Sequence, residues 1–324
     1  VLTRRALLWG AAGLAAVAGV PAQARGLARF PTPAREAMVP VPGGRVYVRV
    51  NGDLRGARAP VVLIHGGPGG THQSLLEALA LADERAVILY DQLDSGRSDR
   101  PDDPANWRVA RFVDELEAIR GALGVARWHV CGHSWGGTVA LEYGARRPAA
   151  LAGLALLSPL VSTRSWIADA DALRATLPAA ARVTLARCET PARPAKAACD
   201  TATAAFYNAF NAREAPTPAR LAAAQAGGGF NARLYEAMWG PSEFAATGTL
   251  RDYDGEPLLA RLDGARTLFL AGQHDEARPA TLAAFAARVP GAELAVIPGA
   301  AHAVLGDRPD ETVAVLRAWL ARQD

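Results

Sequence analysis

The chain has 324 residues, half of them hydrophobic, which is enough to bury a large core and excludes a disordered or collagen-like protein. Its 35 basic and 32 acidic residues give a formal net charge of +3, and two of the basic residues fall in the first 24 positions, so the remainder is close to neutral. That balance offers no electrostatic reason to expect a nucleic-acid partner.

The N-terminus, Val1-Leu2-Thr3-Arg4-Arg5, precedes an apolar run over 6–20 and then Pro21-Ala22-Gln23-Ala24. A bilayer span needs about 20 apolar residues, so this run is short for one. Paired arginines ahead of it and small residues behind it resemble a twin-arginine export signal over 1–24, cleaved after Ala24. The expectation is an exported protein, periplasmic or extracellular, with no stable membrane insertion once the signal is removed.

Residues 37–51 read as a hairpin turning at Gly43-Gly44, with alternation in Val46-Tyr47-Val48-Arg49-Val50. Short apolar runs follow at 61–64, 86–90, 128–131 and 154–157, separated by helical patterns such as 112–123. Strands that are apolar on both faces and spaced by helices predict an α/β protein with a mostly parallel sheet covered on both sides. From 161 to 249 there are helical segments and no convincing strand. Strands return at 267–271 and 293–297, each followed by a helix, the last over 310–322. The organisation expected is one sheet domain in two parts, 25–160 and 250–324, interrupted by a helical cap over 161–249. Of the three cysteines, Cys131 lies in a strand as a small hydrophobe. Cys188 and Cys199 stand eleven apart, either a disulfide of an exported protein or two unrelated thiols.

Gly132-His133-Ser134-Trp135-Gly136 matches G-x-S-x-G between a strand and a helix. A sharp strand-to-helix turn holds its serine in unfavourable backbone angles, so the positions two before and two after it must be glycine. Ser134 is the candidate nucleophile. It needs an oxyanion hole, a base and an orienting acid. His65-Gly66-Gly67-Pro68-Gly69-Gly70 follows the strand at 61–64. Pro68 has no N–H, so Gly67 is the better donor, paired with the amide of Trp135. No Walker lysine or G-x-G-x-x-G spacing supports a phosphate loop there. Among six histidines, His302 follows the last predicted strand on a small-residue loop and is the candidate base. His65 and His133 are read as supports of their own loops. Asp275, just past the strand at 267–271, is the preferred acid over Asp252, Asp254 and Asp307. The chemistry needs neither a metal nor an organic cofactor.

Together with these motifs, Asp91-Gln92, Ser95-Gly96-Arg97-Ser98, Met238-Trp239-Gly240-Pro241-Ser242-Glu243-Phe244 and Asp275-Glu276 carry a resemblance. Over roughly residues 38–322 the chain resembles the proline iminopeptidase family of α/β-hydrolases. The resemblance implies an α/β-hydrolase fold with a helical cap, and a serine peptidase that removes an N-terminal residue, preferably proline, from short peptides. It implies that Glu243 and Glu276 bind the substrate's free α-amino group, as a desolvated ammonium requires. Trp239, with Trp135, Tyr207 and Phe210, is a candidate for the apolar wall around the residue removed, although such aromatics also serve as packing. Asp94 stands where the family commonly has glycine, and little effect is expected of it. A broad esterase or amino-acid amidase is the second enzyme reading, and a hydrolase-fold binding protein the non-enzyme one. An epoxide hydrolase or dehalogenase would need an acid where Ser134 stands.

Overall fold

The computed structural model describes residues 29–190 and 193–324. The expected export signal lies outside the described residues. Eight strands form one sheet in the order β1-β2-β4-β3-β5-β6-β7-β8. The hairpin of β1 (Arg35–Val41) and β2 (Gly44–Asn51) is antiparallel, and β2 also runs antiparallel to β4 (Val87–Tyr90). The remaining strands are parallel: β3 (Val61–Ile64), β5 (Trp128–His133), β6 (Leu151–Leu157), β7 (Thr267–Gly272) and β8 (Glu293–Ile297).

Strand β3 shows why the apolar runs are continuous. Val62 and Ile64 belong to the core on one face with Phe112, Trp135 and Phe269, while Val61 and Leu63 belong to the opposite core with Leu76, Trp319 and Leu320. Alternate residues point to opposite faces, so both must be apolar when helices cover both sides. These helices are α1 (Val109–Leu123) and α2 (Trp135–Ala145) near the middle of the chain, then, after β7, α8 (Pro279–Ala287), α9 (Val304–Asp307) and α10 (Pro309–Gln323). Helix α1 stops where Gly124 takes the left-handed conformation and its amide caps the Arg120 and Gly121 carbonyls.

Among the described residues, five α-helices lie between β6 and β7: α3 (Thr163–Arg174), α4 (Ala179–Cys188), α5 (Lys196–Phe210), α6 (Pro218–Ala226) and α7 (Ala232–Met238). This insertion has a small core of its own, around Leu177, Leu185, Phe206 and Phe244. The Cys188–Cys199 pair is a disulfide joining the end of α4 to α5, and Cys131 is a buried free thiol. The two ends of the insertion are tied together, since Thr163 donates to the Tyr253 carbonyl and Ser162 bridges to Asp254. Parallel order places the loops after β3, β5, β6, β7 and β8 side by side at one sheet edge beneath the insertion, the usual location for a binding crevice.

Candidate active site

Ser134 sits between β5 and α2 with φ 58° and ψ −122°, the strained elbow that its glycines were expected to permit. A Cβ on Gly132 would lie 2.1 Å from the Gly136 carbonyl oxygen, and one on Gly136 would lie 2.2 Å from that of Ile64. Neither position has room for a side chain. Trp135 opens α2, so its amide has no intrahelical acceptor and points with the helix start towards Ser134. Gly66, Gly67 and Gly70 line the same cavity of about 520 Å³ as Ser134 and His302, so the loop after β3 closes over the serine.

His65 steadies that loop. Its Nε2 accepts the Gln92 amide at 3.0 Å and its Nδ1 faces the Gly66 carbonyl at 2.8 Å, while burial lowers its pKa to about 4 and keeps the ring neutral. His133 is likewise neutral, with burial lowering its pKa to about 3. It reaches the His302 backbone carbonyl through Nε2 at 2.8 Å and stacks beside the His302 ring at 4.7 Å. His65 thus steadies its own loop, whereas His133 was expected to do the same and instead ties the elbow to the loop that carries His302.

His302 Nδ1 lies 2.9 Å from Asp275 Oδ1. Asp275 is held from three sides: its other oxygen accepts from the Ser158 hydroxyl at 2.5 Å and the Gly272 amide at 3.0 Å, and Oδ1 also accepts the Ala277 amide at 2.9 Å. Asp307 turns instead to the amides of Ala301, Arg213 and Glu214, so it braces the His302 loop from behind. Ser158 was not singled out from sequence. Its position at the end of β6, between the strands that carry Ser134 and Asp275, was the available signal.

Two further carboxylates converge on His302. Glu276 Oε1 lies 3.7 Å from His302 Nε2 and accepts from Asn211 Nδ2 at 2.6 Å, while its Oε2 is buried with no hydrogen-bond partner among the described residues. Glu243 accepts from the Tyr235 hydroxyl at 2.8 Å, and its amide donates to Tyr207 Oη at 3.3 Å. Burial pushes both carboxyls up, and for Glu276 the charge of Glu243 adds to it. Burial alone would lower the His302 pKa, but Glu276 and Asp275 outweigh it and raise it to about 9. Three carboxyl groups thus face one imidazole within a single buried cluster.

The C-terminus of α5 ties these groups together. The Phe210 carbonyl accepts the amides of both Glu276 and His302 at 3.1 Å, and the Asn211 carbonyl accepts that of Ala303 at 2.7 Å. Carbonyls left over at a helix end thus hold the loops of β7 and β8 against the insertion.

The aromatic expectations need correction. Trp135 does not line the cavity; its ring is fully buried against Phe112 and its Nε1 donates to Gln92. Trp239 is also buried, its Nε1 spent on the Ser242 carbonyl and its ring packed edge-on against Trp166. Phe210 packs on Phe206 in the core of the insertion. The rings at the cavity are Tyr207, Tyr235 and Phe230, and Trp166 meets the His302 ring edge-on at 5.4 Å. Helical periodicity could not choose among them because side-chain direction in a short, irregularly packed helix depends on its neighbours. Asp94 does more than tolerate its turn at φ 65°. Its carboxylate accepts from Trp107 Nε1 at 2.9 Å and the Asp102 amide at 2.7 Å, tying down the loop after β4.

The model of the α/β hydrolase fold family matches residues 59–309. A proline iminopeptidase of Heyndrickxia coagulans is 37% identical over 286 residues, 88% of this chain and 98% of that one. The chain belongs to the proline iminopeptidase family of α/β-hydrolases. Among solved structures, VinJ superposes with TM-score 0.82 at 34% identity, covering 90% of this chain and 100% of that one. The proline iminopeptidase of Mycobacterium smegmatis superposes with TM-score 0.80 at 35% identity, covering 89% and 98%. This agreement extends through the helical insertion as well as the sheet, and the protein is a hydrolase.

Proposed function

We propose that this hydrolase is a serine aminopeptidase that releases an N-terminal residue, preferably proline, from short peptides with a free N-terminus. The observation that carries the reading is the buried Glu243 and Glu276 pair beside His302, with one Glu276 oxygen lacking any partner. A buried carboxylate without a partner is costly. A substrate ammonium supplies the missing donor and the missing positive charge together. An acylated N-terminus supplies neither, so the pair selects for exopeptidase action. Tyr207, Tyr235, Phe230 and Pro241 give that side of the cavity apolar surface suited to a pyrrolidine ring.

With the ammonium held there, the scissile carbonyl lies over Ser134. His302 takes the serine proton as Oγ attacks, and the Gly67 and Trp135 amides receive the developing oxyanion. The C–N bond then breaks as His302 returns the proton to the leaving amine. Water, activated by the same imidazole, hydrolyses the acyl-enzyme. His302 can act as a base only after losing its proton, and a bound ammonium favours that loss by offsetting the carboxylates that hold the proton in place. We also propose export through the twin-arginine route; the Cys188–Cys199 disulfide supports an oxidising compartment.

The test compares a prolyl arylamide, its N-acylated form, an alanyl arylamide and a simple acyl ester, with Ser134→Ala as control. Fast turnover of the free prolyl compound and little of the acylated one is expected. Equal rates on these two would remove the ammonium site.

A further inference from the structure

A second cavity, of about 330 Å³, adjoins the first. Thr71, Ser74, His133 and Ala303 line both. The shared wall lies away from Glu243, Tyr235 and Tyr207, which line only the first. If the amine end of a peptide occupies the Glu243 side, its leaving amine must lie beside His302, and the chain beyond it continues past Ala303. That direction leads into the second cavity.

The lining there differs in chemistry from the first. Leu221, Ala224 and Leu305 provide apolar wall, and Leu221 is half exposed. The charged group is Arg220, also on α6. Its Nη2 donates to the Ser74 carbonyl at 2.5 Å and to Glu77 Oε2 at 3.0 Å. This anchors the guanidinium across the gap between the insertion and the segment His72–Asp83. Nη1 lies over Gly306, where a Cβ would come within 2.2 Å of it, and no acceptor meets Nη1 or Nε among the described residues. Burial raises the Glu77 pKa against the pull of Arg220.

Resting on the aminopeptidase reading, we propose that this cavity receives the leaving part of the substrate, and that Arg220 pairs with the C-terminal carboxylate of a dipeptide whose second side chain lies on the Leu221 wall. The site is thereby bracketed by opposite charges: carboxylates for the amine at one end, a guanidinium for the carboxylate at the other. Such an arrangement measures peptide length, because one bound residue beyond the scissile bond brings its carboxylate to a fixed place. A planar guanidinium suits this better than an ammonium, since it can bind a carboxylate along one edge while another stays anchored.

The experiment measures kcat/KM for prolyl-leucine, prolyl-leucinamide and a prolyl arylamide. In Arg220→Met the ratio of dipeptide to dipeptide amide falls about tenfold from its wild-type value, as loss of one charge-assisted contact implies. Glu77→Gln, which keeps an acceptor for Nη2 but removes the competing charge, raises that ratio and carries the test if Arg220→Met does not fold. A ratio unmoved by either substitution, with all three substrates hydrolysed, overturns the subsite alone. Absence of turnover on all three by the wild-type enzyme would overturn the aminopeptidase reading and this subsite with it.

Discussion

The floor of the cavity, where Ser134 meets the Gly67 loop, is made of backbone; the wall, where Glu243 lines the cavity and Glu276 lies buried beside His302, is built on carboxyl groups. The floor draws its geometry from two strand ends and the first turn of α2, elements whose positions are set by a close-packed sheet. The wall draws on three separated segments: Glu243 from the end of the insertion, Glu276 from the loop after β7, and Asn211 and the Phe210 carbonyl from the end of α5. Local sequence can specify an elbow, whereas a charge cluster exists only after distant segments dock. On the proposed reading, bond cleavage belongs to the floor and choice of substrate to the wall.

The sharpest way to separate the two is to remove the nucleophile. Ser134→Ala is expected to lower kcat by more than about 10⁴-fold on peptides and esters alike, with peptide binding retained because the wall is untouched. Calorimetric titration with a non-hydrolysed prolyl peptide checks the second half. Loss of binding along with turnover would show that floor and wall are not independent.

Glu276→Gln should do the reverse. Peptide kcat/KM falls by roughly 100-fold, in line with losing a charged contact in a buried site, while an ester without an amine is turned over nearly as before. The same variant tests the electrostatics. In the free enzyme His302 stays protonated until about pH 9, so kcat/KM for a neutral ester rises with pH towards that value. Glu276→Gln moves the rise down towards 6.5, the ordinary histidine value. For a prolyl peptide in the wild type, the acid limb of kcat should lie below that of ester kcat/KM, because the bound ammonium offsets the carboxylates. Coincident limbs in all three profiles would contradict the coupling. Stability follows the same sign: with its folded pKa raised, His302 stabilises the fold fully below 6.5, and this contribution is lost as the pH rises through about 9.

Smaller effects probe the joints between the regions. Ser158→Ala removes one of the hydrogen bonds that hold Asp275; about a tenfold loss of kcat is expected, on every substrate equally. A loss confined to peptides would place Ser158 in substrate selection instead. Replacing Cys188 and Cys199 by serine relaxes the junction of α4 with α5, and a disulfide of this kind contributes about 2–4 kcal/mol. Hydrogen exchange should quicken in 179–210 and leave the sheet amides unchanged, with peptide kcat/KM lower by a few-fold. Uniform acceleration across the sheet would mean that insertion and sheet unfold as one unit.

The central strands were legible because they are buried on both faces and so read as unbroken apolar runs, as β3 shows; the expected 293–297 coincides with β8 as well, although that edge strand is largely exposed. The elbow was legible for a related reason, since its glycines are demanded by backbone contacts within a few residues and by one neighbouring strand. The helical insertion was legible as helical segments without a convincing strand, not helix by helix. Which of its aromatic rings face the cavity was misread, as Trp239 shows: the indole that reaches His302 is Trp166, and Trp239 packs behind it. Asp94 was undervalued because its partners, Trp107 and Asp102, meet it through a loop whose path no local rule predicts.

By itself, then, the sequence determined the α/β sheet, the serine elbow with its glycines, and the chain order of Ser134 and His302 at the cavity with Asp275 buried behind His302, because each depends on periodicity or on sterics within a short span. Only the tertiary structure decided that Ser158 would brace Asp275, that Glu276 would stand 3.7 Å from His302 Nε2 with an unpartnered oxygen, and that Arg220 would line a second cavity. Those are meetings of charged and polar groups from distant segments, and their energies depend on burial that no single segment possesses before the chain has folded.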